Sequence, residues 1–123
     1  MIVAGFGFRA SATRASLAEA YGLAGGRAVV FATVADKIGE EIEDFATQHG
    51  LPLVGVPAKE LAAQVTLTRS QASEAARQTG SVAEAAALAA AGPGATLLAP
   101  RVVSADRMAT CALAQTSAEG PLP

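Results

Sequence analysis

Tryptophan is absent from the 123-residue chain, and phenylalanine and tyrosine together supply only 4% of it. Stacking platforms for single-stranded nucleic acid need more aromatic rings than that. An excess of cations is missing too: nine Lys and Arg face eleven Asp and Glu, for a net charge of −2. Binding to a phosphate backbone needs a basic surface, so nucleic acid is not an expected partner. The single cysteine, Cys111, permits no internal disulfide and fits a reducing compartment. Arg, Lys, Glu or Gly interrupts every apolar run before it reaches bilayer-spanning length, so no membrane partner is expected. The start, Met1-Ile2-Val3-Ala4-Gly5-Phe6-Gly7, has neither the basic n-region nor the long apolar segment of a signal peptide. A cytoplasmic protein is the expectation.

Recognisable catalytic apparatus is also scarce. His49 is the one histidine. It stands beside Gly50 at a helix end, where it stabilises the terminus or is exposed; the alternative is a catalytic or metal-ligating role. Paired metal ligands, a G-x-S-x-G elbow and a G-x-x-x-x-G-K-[ST] loop do not occur. Cys111 sits in an apolar run and reads as an inert core residue. Neither metal nor cofactor is expected, and no catalytic residue is assigned.

What is present is a globular composition, 51% hydrophobic and 16% charged, large enough for one domain with a real core. The expected unit is a single α/β domain over residues 1–114, with a frayed tail over 115–123. Residues 1–6 read as a buried strand ended by a Gly5-Phe6-Gly7 turn. A helix from Ser11 or Thr13 follows, with Leu17, Ala20, Tyr21 and Ala24 on one face and Gly25-Gly26 as its stop. The apolar, β-branched run 28–33 has the pattern of a strand covered on both sides. Ile38, Ile42, Phe45, Ala46 and His49 then recur at helical spacing up to Gly50, and residues 53–56 form a third strand. This β-α-β-α-β order predicts parallel strands in an open sheet. A short helix opens at Pro57, and residues 65–69 are irregular. A Ser70-capped helix runs to Gln78, and a Ser81 helix runs to Gly92-Pro93-Gly94. Residues 95–99 and 107–113 close the sheet as an antiparallel pair. The fold expected is a three-layer α/β/α arrangement with a mixed, mostly parallel sheet of about five strands.

In such sheets ligands sit beyond the carboxyl ends of the strands, near helix N-termini. Three loops meet that description. Gly5-Phe6-Gly7-Phe8-Arg9 offers close backbone approach and a cation. Asp36-Lys37 leads into the second helix, with Asp36 as its plain cap. The third is the region from Ser70 to Ser81. Within it Thr79-Gly80-Ser81-Val82-Ala83-Glu84 has the Ser-x-x-Glu spacing of a reciprocal capping box. Its free N–H groups and dipole also suit a carboxylate. Arg9, Arg14 and Arg101 stand without neighbouring acids, and Arg is the side chain whose planar fork pairs with carboxylates. Gly5-x-Gly7-x-x-Ala10 loosely matches a dinucleotide fingerprint, which leaves a nucleotide-binding module as an alternative.

The same segments carry a resemblance. Gly5-Phe6-Gly7-Phe8-Arg9, Asp36-Lys37, Gly50-Leu51-Pro52-Leu53, Lys59-Glu60-Leu61, Ser70, residues 79–87 and Ala99-Pro100-Arg101, in that order, resemble the CobE/CbiG C-terminal domain family of cobalamin (vitamin B12) biosynthesis. The resemblance covers residues 1–113. Two positions depart from its pattern: Ser73 replaces a branched apolar residue, and Arg101 replaces a lysine. The resemblance implies the handling of a precorrin or corrinoid intermediate, with other cobalamin-pathway enzymes as partners. Ligand-binding residues are then Gly5, Gly7, Arg9, Asp36, Lys37, Ser70, Thr79, Gly80, Ser81 and Arg101. Arg9, Lys37 and Arg101 would meet carboxylates, and the others would shape loops or present backbone donors. The fused family enzyme opens the lactone of cobalt-precorrin-5A, so the alternative function is a precorrin-5A-type hydrolase with Asp36 as base. Such an enzyme carries sequence before this domain, so binding without robust catalysis is the expectation for this chain.

Overall fold

The computed structural model describes residues 1–77 and 79–117. The chain folds as β1 (Ile2–Phe8), α1 (Arg14–Leu23), β2 (Val30–Val34), α2 (Glu40–His49), β3 (Leu53–Val56), α3 (Ala58–Ala62), α4 (Gln71–Arg77), α5 (Val82–Ala91), β4 (Thr96–Leu97), β5 (Val102–Val103) and β6 (Ala109–Gln115). The sheet order is β3-β2-β1-β6-β4, with β5 also pairing to β6. β1, β2 and β3 are mutually parallel, while β6 is antiparallel to β1, β4 and β5. Five strands therefore point one way and β6 alone opposes them, the mixed, mostly parallel α/β sheet that the sequence predicts. The sixth strand is the short β5, in a stretch too brief to show a period in sequence.

Alternation along the strands sorts side chains into two cores. Ala4 and Phe6 of β1, Phe31 of β2 and Cys111 and Leu113 of β6 face α1 and α2. There Phe6, Phe31, Phe45 and Tyr21 form one aromatic cluster, in which Phe31 stacks on Phe45 at 5.1 Å. His49 is exposed at the end of α2, where its ring lies edge-on against the rim of the cluster, 4.7 Å from Phe45. Cys111 is fully buried, and desolvation pushes its thiol far above the ordinary range, which keeps it unreactive.

The opposite face holds Val3, Ala32, Val34 and Val56 against α5 and Leu61. α5 is Val-Ala-Glu-Ala-Ala-Ala-Leu-Ala-Ala-Ala, a helix of small side chains that lies very close to the sheet. Gly5 makes the approach possible, because a Cβ there would stand 2.1 Å from Ala83 O and 2.5 Å from Ala87 N. Burial of each large core side chain contributes about 1.5–3 kcal/mol, and this small-residue seam aligns α5 across the middle of the sheet.

Helix ends follow local chemistry. Thr13 caps α1 in a reciprocal box with Ser16, whose Oγ accepts from Thr13 N at 3.2 Å. Gly50 ends α2 at φ 65°, where a side chain would be strained. Other details depart from the local reading. β1 does not turn at Gly5-Phe6-Gly7 but continues to Phe8, since every residue through Phe8 pairs with β6. Asp36 does not cap α2: it lies in a 3₁₀ turn, Ala35–Lys37, and Gly39 holds the cap position. Gln115, expected to open the tail, closes β6 opposite Ile2, and Thr116 N donates to Met1 O at 2.9 Å. Gln78 and residues 118–123 of the expected helix and tail lie outside the described residues.

Candidate functional site

The carboxyl ends of β1 and β2 open into a cleft of about 500 Å³, within the usual range for small-molecule sites of about 300–1,000 Å³. Gly7 and Phe8 come from β1, and Thr33 and Val34 from β2. Lys37 follows from the 3₁₀ turn, with its Nζ 5.4 Å from the centre of the Phe8 ring. Ser70, Ser73 and Arg77 line the cleft at i, i+3, i+7 spacing, which brings them onto one face of α4 and its start. Val82 at the start of α5 also lines the cleft, and Arg101, Val103, Arg107, Met108 and Thr110 complete the lining.

The charge is one-sided. Arg9, Lys37, Arg77, Arg101 and Arg107 all line the cleft, and among the described residues no Asp or Glu does. Five of the chain's nine cations thus converge in a protein whose net charge is −2. Converging cations beside an apolar wall of Phe8, Val34, Val82 and Val103 suit a large apolar ligand carrying several carboxylates.

Two local devices present these cations. Arg107 adopts φ 60°, an uncommon conformation for a side-chain-bearing residue, and its N donates to Ser104 O at 2.8 Å in a tight turn. Asp106 pins that turn to α1 by accepting from Ser104 Oγ at 2.6 Å, Ser16 Oγ at 2.6 Å and Met108 N at 3.0 Å. The Ser104 and Ser16 hydroxyls, together with the Met108 amide, hold the Asp106 carboxyl below its ordinary range. Arg9 N donates to Met108 O at 2.9 Å, which ties the end of β1 to the same hairpin.

Behind the lining Glu84 is fully buried on the first turn of α5. Ser81 Oγ accepts from Glu84 N at 3.3 Å, so half of the expected capping box is present. The other half is not: the Glu84 carboxylate turns away to the chain segments flanking the cleft. Oε1 accepts from Leu67 N at 2.6 Å and Thr68 N at 2.8 Å. Oε2 accepts from Thr68 Oγ1 at 2.6 Å and Arg101 N at 2.8 Å. Burial pushes this carboxyl up, but the four hydrogen bonds outweigh it and hold the group below its ordinary range.

Of the ten residues expected at the site, Gly7, Arg9, Lys37, Ser70 and Arg101 line the cleft. Gly5 does not: it is buried under α5, where its missing side chain serves helix packing. Both glycines lie inside β1 and pair with β6, so the strand-end turn of a dinucleotide fingerprint does not form. Asp36 lies just outside and binds Arg77, Oδ2 to Nη1, at 2.6 Å. Thr79, Gly80 and Ser81 are buried behind the wall, where Gly80 O accepts from Ser70 N at 2.7 Å. Thr79 Oγ1 has no hydrogen-bond partner among the described residues. Arg77, Arg107, Phe8 and Met108 join the cleft without having been singled out as ligand-binding in the sequence. Phe8 stands in a loop that the sequence marks as a candidate, Arg77 shows its helical spacing from Ser70, and Arg107 and Met108 leave no signal. Among the described residues no group of three or more His, Cys, Asp and Glu is placed to hold a metal, and no helix is long and apolar enough to cross a membrane.

Comparison with known proteins places this architecture. No curated protein matches the chain. Among solved structures it is similar to CobE, a protein from the cobalamin (vitamin B12) biosynthetic pathway, with 29% identity and a TM-score of 0.77 over 93% of this chain and 89% of that one. It is similar to the cobalamin biosynthesis protein chiG from Agrobacterium tumefaciens, with 33% identity and a TM-score of 0.72 over 95% and 99% of the two chains. A cobalamin biosynthesis protein G homolog from Sulfolobus solfataricus shares the fold, with 21% identity and a TM-score of 0.69, this chain spanning 36% of that one. The family model for the cobalamin synthesis G C-terminus matches residues 2–114, and the chain belongs to that family.

Proposed function

We propose that the chain binds a precorrin or corrinoid intermediate by its carboxylate side arms and delivers it to other enzymes of cobalamin biosynthesis in the cytoplasm. The observation that carries this reading is the convergence of Arg9, Lys37, Arg77, Arg101 and Arg107 on one acid-free cleft. Guanidinium forks pair with carboxylates through two parallel hydrogen bonds, and the apolar wall takes the edge of the macrocycle. Binding is favoured over lactone hydrolysis by the state of Asp36. Its hydrogen bond to Arg77 holds the carboxyl below its ordinary range, which makes it a weak base, and it stands outside the cleft lining.

The test is a thermal-shift titration with cobyrinic acid, a corrinoid with free carboxylates, beside cobinamide, whose arms are amides. Stabilisation by cobyrinic acid supports the reading. A folded chain that responds to neither overturns it. Turnover of a lactone-bearing precorrin, lost in Asp36→Asn, would establish the hydrolase instead.

A further inference from the structure

We propose that Glu84 is the positioning residue of the cleft: its buried carboxylate fixes the segment before α4 and the segment before β5, and so holds Arg101 toward the ligand. This inference rests on the binding role proposed above. The two segments are remote in sequence, Leu67 and Thr68 on one side and Arg101 on the other. They meet at a single carboxylate that is 0% exposed. Arg101 contributes its backbone N–H to Glu84, at 2.8 Å, while its side chain lines the cleft. The anion therefore orders the residue without consuming the guanidinium charge.

The neighbouring contacts extend the arrangement to Ser70. Thr66 Oγ1 donates to Thr68 O at 2.9 Å, and Ser70 N donates to Gly80 O at 2.7 Å. Gly80 is closed in by Thr68 O and Thr66 Oγ1, at 2.3 and 2.5 Å from where a Cβ would stand. Glu84, Thr68 and Gly80 thus form one packed block that backs the cleft wall.

Glu84→Gln tests the anion with little change of shape. One amide oxygen can still accept from Leu67 N and Thr68 N, and the Thr68 hydroxyl can rotate to accept from the new amide. The Arg101 N–H, however, then faces a donor, so the damage is greatest at that link, while the neutral oxygen holds the Leu67 and Thr68 amides more weakly than a carboxylate does. Cobyrinic acid affinity is expected to fall about tenfold in Glu84→Gln and by a similar factor in Arg101→Ala. The double variant is expected to be little weaker than either single one, because both remove the same contribution. Glu84→Gln combined with Arg9→Ala is expected to be additive, since Arg9 is held by β1 and the Met108 hairpin.

Additivity with Arg101→Ala would overturn the proposal, for it would mark Glu84 as a general stabiliser. Amide hydrogen exchange supplies a readout that needs no ligand. Faster exchange at Leu67, Thr68 and Arg101 in Glu84→Gln, with the sheet amides unchanged, supports the proposal. Unchanged exchange at those three amides overturns it, whatever the binding role of the cleft. Should Glu84→Gln fail to fold, Glu84→Asp keeps the charge but draws the carboxylate back by one methylene from the Arg101 amide. It is expected to speed exchange at Arg101, and unaltered exchange there counts against the proposal.

Discussion

Arg77 Nη1 lies 2.6 Å from Asp36 Oδ2, joining α4 to the 3₁₀ turn beside the cleft. One cleft cation is thereby partly neutralised by an acid that is itself outside the lining. Asp36→Asn releases Arg77 for the ligand and raises the local positive charge. Affinity for cobyrinic acid is expected to rise by about two- to fivefold, the range of an exposed ion pair. Titration of the variant checks this, and abolished binding would contradict it.

Gly5 is a packing residue of the sheet, despite its place in a glycine-rich segment. Gly5→Ala drives a Cβ into the α5 backbone at Ala83 and Ala87. Neither contact is the flexible end of a side chain, so the expected loss of stability is about 1–3 kcal/mol or more. Urea unfolding measures it. A midpoint equal to the wild type would show that α5 can lift away at no cost.

Arg107 separates backbone strain from ligand contact. Its φ of 60° favours glycine, and relief of about 1–2 kcal/mol is offset by the greater unfolded freedom of glycine. Arg107→Gly is expected to change stability by less than about 1 kcal/mol while weakening cobyrinic acid binding about tenfold. Equal affinity in the variant would remove Arg107 from the site.

Glu84 makes stability depend on pH with a definite sign. Its carboxyl lies below the ordinary value of 4.5 in the folded chain. A depressed carboxyl contributes stability that is fully present above its unfolded value and is lost as pH falls through the lower folded value. The wild type is therefore expected to lose stability as pH falls below about 4.5. Asp36 and Asp106, also depressed, act in the same direction below 3.8. Urea midpoints between pH 7 and pH 3 should show a shallower acid slope in Glu84→Gln, and an identical slope would contradict the account.

Much of the fold is legible because its signals are local. The β-branched run ending at Thr33, the helical spacing of Ile42, Phe45 and Ala46, and the stop at Gly50 each show within a dozen residues. Gly5 and Glu84 are different. Locally Gly5 belongs to a flexible turn and Glu84 to a capping box, yet their real partners are α5 and the Thr68 and Arg101 amides. Those partners are distant in sequence, and no spacing rule reaches them. The site was half visible for the same reason. Arg9, Lys37 and Arg101 stand out as cations in expected loops, whereas Arg107 enters through a turn set by Ser104 and Asp106.

Recognition of corrinoid carboxylates by the cleft cations underlies the binding predictions above. Its most direct test is the dissociation constant of cobyrinic acid, measured at rising salt for the wild type and for an Arg9→Gln, Lys37→Gln, Arg101→Gln variant. Binding is expected to be saturable and to weaken with salt, and the variant to bind far more weakly with a shallower salt dependence. Equal affinity in the two folded proteins, or affinity indifferent to salt, would contradict it.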